Sequence, residues 1–75
     1  MNNDNITKHF RMPKSHPVLA EITIDAMKWY RFQRLSENTP ELNIVGHDDP
    51  QDGQITIYVA CANEDVKDAL EDGWN

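Results

Sequence analysis

Apolar and polar residues alternate along two stretches of the chain, and this pattern predicts two β-strands. In ELNIV (41–45), Leu42 and Ile44 fall on one side of an extended chain, and in QITIYVAC (54–61) every second residue is apolar. Alternation with a period of two is typical of a strand with one buried face. The segment between them, GHDDPQDGQ (46–54), contains the proline, aspartates and glycine that favour turns. We therefore predict an antiparallel β-hairpin.

The stretch PVLAEITIDAMKWYRFQRLS (17–36) fits two interpretations. Its apolar residues lie on one broad face of a helix, and Pro17 is tolerated in a first helical turn. In the alternative, VLAEITI is a strand and Asp25 caps a shorter helix, which the β-branched residues of ITI favour. We favour the single long helix. Both interpretations make residues 26–35 helical, with an end at SENTP (36–40).

A second helix is predicted near the end of the sequence. Asn63 is a good N-cap, two acidic residues follow it where the helix dipole favours anions, and Gly73 is a natural C-terminal stop. Trp74 is expected to fold back on the side of Ala69 and Leu70. The predicted fold class is α+β: a small single domain with an N-terminal helix, with or without a short leading strand, an antiparallel β-hairpin and a C-terminal acidic helix.

Length and charge divide the chain into a short arm and one domain. Seventy-five residues are too few for two domains. Residues 1–14 are polar and lack periodicity, so we expect a flexible basic arm followed by one domain over 15–75. Residues 17–75 hold four basic and twelve acidic side chains, a net charge of −8. Such a body repels nucleic acid and membrane surfaces and attracts basic protein surfaces.

Cysteine content and hydropathy predict where the protein resides. Cys61 is the single cysteine, which excludes an internal disulfide and a cysteine-rich zinc site and suggests a reducing compartment. The first residues lack the apolar segment of a signal peptide, and no stretch approaches the ~20 apolar residues of a membrane-spanning helix. We expect a soluble, cytoplasmic protein.

The sequence gives little support for metal binding or catalysis. The hairpin segment partly matches a calcium-binding EF-hand loop, but Pro50 and Val59 stand where oxygen ligands are needed. Cys61 occupies an alternating strand position typical of a buried residue, and VACANED resembles no catalytic cysteine motif. An enzyme combining Cys61 with a histidine is kept only as a formal contrast. We predict no cofactor, no metal and no enzymatic activity.

The predicted C-terminal helix carries an acidic stripe. Stepping 100° per residue places five carboxylates on one arc of ~120°. The acidic stripe consists of Glu64, Asp65, Asp68, Glu71 and Asp72. Glu71 and Asp72 fall at the negative end of the helix dipole, so stability alone does not favour this arrangement. The stripe is either an ordinary solvated face or a site for a basic partner.

The predicted first helix places Trp29, Tyr30 and Phe32 within four residues, interleaved with Lys28, Arg31 and Arg34. Tryptophan, tyrosine and arginine are common at protein interfaces. The same pattern also fits an aromatic core with arginine stems packed along it, or a surface that stacks on single-stranded nucleic acid. The net charge of −8 argues against the last of these, because it opposes approaching phosphates.

Together these features favour a non-enzymatic inhibitor or binding module that docks on a basic, nucleic-acid-binding surface of a partner protein, its carboxylates taking the place of phosphates. The candidate contact residues are the acidic stripe, Asp48, Asp49 and Asp52 of the hairpin loop, and Trp29, Tyr30 and Phe32. In size, charge and lack of motif the chain resembles the small acidic inhibitors that bacteriophages encode against host defence or transcription, anti-CRISPR proteins among them. The resemblance concerns the whole chain, and no functional position is transferred from it.

Two alternatives belong to other functional classes. The first is a nucleic-acid or regulatory binder that uses the basic arm and the Lys28, Arg31 and Arg34 side chains. The second is a homo-oligomeric accessory or structural protein whose aromatic patch is buried in a homodimer. Direct nucleic-acid binding by the domain would support the first alternative, and dimerisation would support the second.

Overall fold

The computed structural model describes residue 10 and residues 12–74, which fold into a three-stranded sheet covered by helices. The elements are β1 (Val18–Asp25), a 3-10 turn (Ala26–Lys28), α1 (Trp29–Glu37), β2 (Leu42–His47), β3 (Gln54–Cys61) and α2 (Glu64–Trp74). This order confirms the predicted α+β class, the hairpin and the C-terminal helix. Within the described part of the chain, neither helix has the length and apolar composition that crossing a membrane requires.

Residues 18–25 form a strand, so the favoured single helix over 17–36 is wrong in this part and the strand alternative is correct. The reason is the pairing with β3, in which Ile22 lies opposite Ile57 and Ala20 opposite Val59. These non-local contacts bury every second side chain of β1, whereas the helical pattern was a local property of the same residues. Asp25 ends the strand and accepts a hydrogen bond from the Met27 backbone N–H at 2.9 Å, as the alternative predicted.

The strand order is β1-β3-β2, and β3 is antiparallel to both neighbours. β1 and β2 therefore run in the same direction, and a parallel connection needs a crossover, which α1 supplies. α2 begins after the end of β3 and returns across the sheet, packing mainly on β1. The two helices thus run in opposite directions over the same face of the sheet.

The core lies between the sheet and this helical layer. Side chains from all three strands meet Phe32 of α1 and Leu70 of α2. The strand residues of this core are Ala20, Ile22, Ile24, Leu42, Ile55, Ile57, Val59 and Cys61. They occupy alternating positions, as predicted for β2 and β3 from their period of two. This packing fixes the orientation of both helices and therefore of the charged faces they present to solvent.

α2 begins where the sequence predicts and ends later than the sequence predicts. Asn63 is the N-cap, since its Oδ1 accepts a hydrogen bond from the Val66 N–H at 2.9 Å. The predicted stop at Gly73 is wrong, because the helix continues to Trp74. Trp74 lies four residues beyond Leu70 on the same helical face and packs against Phe32. This packing offsets the helix cost of a glycine, about 1 kcal/mol.

The other face of the sheet is partly covered by Phe10. Its ring stacks on that of Tyr58, with centroids 4.8 Å apart, and lies over Gly46, which is opposite Tyr58 in the β2–β3 ladder. Residues 1–9 and 11 of the predicted basic arm lie outside the described residues. The flexible arm therefore stays a prediction.

Candidate protein-binding surface

The acidic stripe lies on the outer face of α2. Val66, Leu70 and Trp74 pack inward at four-residue spacing, so the opposite side of the helix faces solvent. The stripe residues Glu64, Asp65, Asp68 and Asp72 are exposed, and Glu71 is half-buried. Lys67 pairs with Glu71, with Nζ and Oε1 3.7 Å apart. The helix thus presents an outward row of carboxylates with one lysine beside it.

Asp48, Asp49 and Asp52 lie in the connection between β2 and β3 and line a depression of about 570 Å³ with Thr23 and Thr56. Thr23 and Thr56 are paired across β1 and β3, with their hydroxyl oxygens 2.9 Å apart. These threonines alternate with the core residues and so face away from the helices. The loop aspartates and the acidic stripe therefore lie on opposite faces of the sheet and do not form one surface.

Asp48 has a structural partner. The Tyr58 hydroxyl donates a hydrogen bond to Asp48 Oδ2 at 2.8 Å. The Asp48 backbone N–H donates to the Thr56 carbonyl at 2.9 Å. The carboxylate thus satisfies a tyrosine that is itself largely buried. Of the three loop aspartates, Asp49 and Asp52 are the exposed ones.

The tip of the loop is a two-residue turn. Gln51 and Gln54 exchange backbone hydrogen bonds of 2.8 and 2.9 Å, and the residues between them, Asp52 and Gly53, have φ angles of 55° and 77°. Positive φ at both central positions is the geometry that Asp-Gly favours in a hairpin. The Gly53 carbonyl also accepts a hydrogen bond from the Ala26 N–H at 2.8 Å. Turn geometry therefore accounts for the composition of this segment.

The three aromatic candidates have different surroundings. Phe32 is fully buried in the core, and Trp29 is half-buried against His47, with ring centroids 5.1 Å apart. Tyr30 is 66% exposed; its hydroxyl accepts a hydrogen bond from Arg34 Nη1 at 2.8 Å. The Arg34 guanidinium also lies 5.7 Å from the Tyr30 ring centroid. Among these three, Tyr30 is the one placed to touch a partner directly.

An apolar groove between α1 and α2, which the sequence did not reveal, lies beside the stripe. Its volume is about 310 Å³. The lining includes Leu35, Leu42, Val66, Ala69 and Trp74. Leu35 is an apolar residue of the first helix, but its position in the sequence does not show that it lines a groove with α2. We call this feature the interhelical groove.

Cys61 is fully buried at the end of β3, where its thiol lies 3.8 Å from the Val59 carbonyl oxygen. Burial raises the pKa of the thiol, the nearby Glu71 carboxylate raises it further, and Lys67 opposes them. A raised pKa keeps the sulfur protonated, and the protonated form is a weak nucleophile and a poor metal ligand. Among the described residues, no three histidine, cysteine or acidic side chains are grouped to hold a metal ion.

No family model, curated protein or solved structure matches this chain. Relatives therefore contribute nothing to its interpretation. The candidate function depends on the arrangement of charge and apolar surface on the helical layer, where the acidic stripe, the interhelical groove and the exposed Tyr30 side chain all lie.

Proposed function

We propose that this protein is a non-enzymatic binding module or inhibitor whose acidic stripe docks on a basic, nucleic-acid-binding surface of a partner protein. The observation that carries the proposal is the outward row of carboxylates on α2, for which the described structure gives one ion pair, Lys67–Glu71. A surface of one sign attracts the opposite sign over several ångströms and accelerates encounter.

The spacing of the stripe supports phosphate mimicry. Five carboxylates between Glu64 and Asp72 span about 12 Å of helix axis, from the 1.5 Å rise per residue. This is about one negative charge per 3 Å, close to the one phosphate per 3.4 Å of axis on a single DNA strand. A protein groove that binds nucleic acid with lysine and arginine therefore meets a similar charge density on α2.

The position of the last stripe residues supports a role beyond solubility. Glu71 and Asp72 lie in the C-terminal part of α2, where the helix dipole disfavours negative charge. Asp68 and Asp72 are also four residues apart, so they repel each other. Each effect is a few tenths of a kcal/mol, and a function in binding explains why such residues occupy these positions.

The proposed setting is the cytoplasm of a host cell, where such a module blocks a defence or transcription protein in the manner of bacteriophage-encoded inhibitors. The blocked protein loses access to its nucleic acid because α2 occupies the same groove. The module itself does not bind nucleic acid in this proposal, since the net charge of its body opposes phosphates.

Affinity capture from bacterial lysate with matched charge variants tests the proposal. The stripe variant is Asp65→Asn with Asp68→Asn, and the control is Asp49→Asn with Asp52→Asn, which removes the same charge from the opposite face of the sheet. We expect the wild type and the control to retain basic nucleic-acid-binding proteins that the stripe variant loses. A retained protein, once purified, should release fluorescent duplex DNA when the wild type is added. Equal retention by all three, or tight DNA binding by the module alone, contradicts the proposal.

A further inference from the structure

The interhelical groove is a concave apolar surface on the same layer as the acidic stripe. Leu35 of α1 is 38% exposed on one wall, and Val66, Ala69 and Trp74 of α2 lie on the other. Leu42, at the start of β2, also contributes to the lining. A volume of about 310 Å³ is at the lower end of the range for ligand sites, about 300–1,000 Å³. The groove accommodates apolar side chains rather than a large cofactor.

The length of the groove matches a short helical ligand. Its α2 wall runs from Val66 to Trp74, which is about 12 Å at 1.5 Å per residue. An amphipathic helix that docks in a groove uses apolar anchors at i, i+3, i+4 and i+7, and these span about 10.5 Å, which fits within that length. The opposite wall consists of Leu35, near the end of α1, and of Thr39, Glu41 and Leu42, which follow that helix.

Charge at the rim defines the chemistry of the occupant. On the surface of α2, Asp65 and Asp72 lie four residues before and three residues after Ala69, and these spacings place them beside this wall. Glu41 lines the groove itself at the end near the start of β2. The cations Lys28 and Arg31 lie beyond the other end, where they form a separate depression with Gly73 and Trp74. The α2 rim and the Glu41 end are therefore acidic.

From this arrangement we infer that the interhelical groove binds an amphipathic helix of the partner protein. The apolar face of that helix enters the groove, and lysine or arginine side chains along one of its flanks lie over the α2 rim. This inference rests on the proposed function, since it specifies the partner element that the acidic stripe attracts. The stripe supplies long-range attraction, and the groove supplies the apolar contact that selects among basic partners.

A designed peptide probe tests the groove separately from the stripe. The probe is a synthetic helical peptide with leucine at i, i+3, i+4 and i+7, lysine along one flank and glutamine along the other. Two control peptides replace either every leucine with serine or every lysine with glutamate. Titration followed by NMR of the backbone amides gives both the affinity and the location of binding.

We expect the leucine–lysine peptide to bind at least about tenfold more tightly than the serine control, a difference of about 1.4 kcal/mol, because its leucine side chains leave water when they enter the groove. The shifted amides should belong to residues around Leu35, Ala69 and Trp74. Ala69→Phe, which fills the groove from an exposed position, should remove this difference. Leu35→Ser should reduce it and provides a second test if Ala69→Phe disturbs the fold. The glutamate control should not bind.

Three results overturn the inference and leave the proposed function intact. The first is equal affinity for the leucine and serine peptides, with both affinities lost in the stripe variant, since charge alone then accounts for binding. The second is a dimer of the protein that buries Leu35 and Ala69 without peptide, since a second copy is then the occupant. Failure of the leucine–lysine peptide to bind also overturns the inference. Failure of the lysate capture as well would reject the proposed function.

Discussion

Phe32 and Trp74 meet edge to face, with ring centroids 5.1 Å apart and an angle of 82° between the ring planes. Phe32 belongs to α1 and is fully buried, whereas Trp74 is the last residue of α2 and is half-buried. This contact joins the two helices directly, and Trp74 also lines the interhelical groove. The last turn of α2, including Gly73 and Asp72, therefore depends on an aromatic contact with α1.

Trp74→Ala is expected to lower the free energy of unfolding by about 2–3 kcal/mol. A fully buried aromatic residue replaced with alanine costs about 3–5 kcal/mol of stability. The loss expected here is smaller because Trp74 is half-buried. A double-mutant cycle with Phe32→Leu should give a coupling of about 0.5–1.5 kcal/mol, as expected for an aromatic pair. Urea denaturation followed by circular dichroism measures both quantities.

Met27→Ala is the control for this prediction, since Met27 is 91% exposed and should change stability by less than about 0.5 kcal/mol. Equal effects of Trp74→Ala and Met27→Ala would contradict the packing assigned to Trp74.

The sequence predicted those parts of the fold that depend on neighbouring residues. The alternation of Ile55, Ile57 and Val59 identified β3, and 3.6-residue periodicity located the acidic stripe on one face of α2. β1 was misassigned because its stability depends on pairing Ile22 with Ile57, a contact distant in sequence. A local pattern contains no information on such a partner.

The part of the candidate site that lies on one helix was predictable, and the part that depends on the packing of two helices was not. The stripe residues lie on consecutive turns of one helix, so the helical period predicts that they share a face. The interhelical groove was missed because it requires Leu35 and Ala69 to line one depression, and that depends on how both helices pack on the sheet. The separation of Asp49 from the stripe is likewise a property of the topology. Periodicity gives the faces of an element, and tertiary contacts decide which faces adjoin.

Gly53→Ala should destabilise the hairpin by about 1–2 kcal/mol. Gly53 has a φ of 77°, a conformation in which a Cβ atom costs about this amount. Among the described residues, no heavy atom outside Gly53 and its two chain neighbours lies within 4 Å of the position a Cβ would take, so the penalty comes from the backbone conformation and not from packing. Asp52→Asn is the matched control, since Asn-Gly suits the same turn. Thermal unfolding of both variants tests this, and a loss of stability in Asp52→Asn alone would contradict the turn assignment.

Gly46→Ala is expected to displace the Phe10 ring from Tyr58. A Cβ at residue 46 would lie 2.7 Å from Phe10 Cε1, closer than van der Waals contact allows. The ring can move away, so the loss should equal that of the Phe10 contact, about 1–2 kcal/mol. NMR shifts of the Tyr58 ring protons report on the stacking.

The double variant Gly46→Ala with Phe10→Ala tests the mechanism. If the clash with Phe10 is the whole cause, the double variant should be no less stable than Phe10→Ala alone. Fully additive losses would show that Gly46 contributes in another way.

The raised pKa of the Cys61 thiol predicts a loss of stability at alkaline pH. Burial favours the neutral thiol in the folded protein, so this contribution is fully present below the ordinary thiol pKa. Unfolding releases a proton once the pH exceeds that value, and the contribution is lost as pH rises toward the raised folded pKa. Between these pH values, the free energy of unfolding should fall more steeply for wild type than for Cys61→Ala. Parallel pH profiles, or rapid alkylation of folded wild type, would contradict this.

Asp72→Lys should stabilise the protein while weakening the proposed interaction. Asp72 is exposed in the last turn of α2, where the dipole favours a cation, and the change also removes repulsion from Asp68. We expect the free energy of unfolding to rise by a few tenths of a kcal/mol and retention of basic partners to fall. Asp65→Lys is the matched comparison, because the same reversal in the first turn should lower both stability and retention. Opposite effects of Asp72→Lys on stability and binding indicate a binding surface, whereas unchanged retention in both variants would mean that the acidic stripe is an ordinary solvated face.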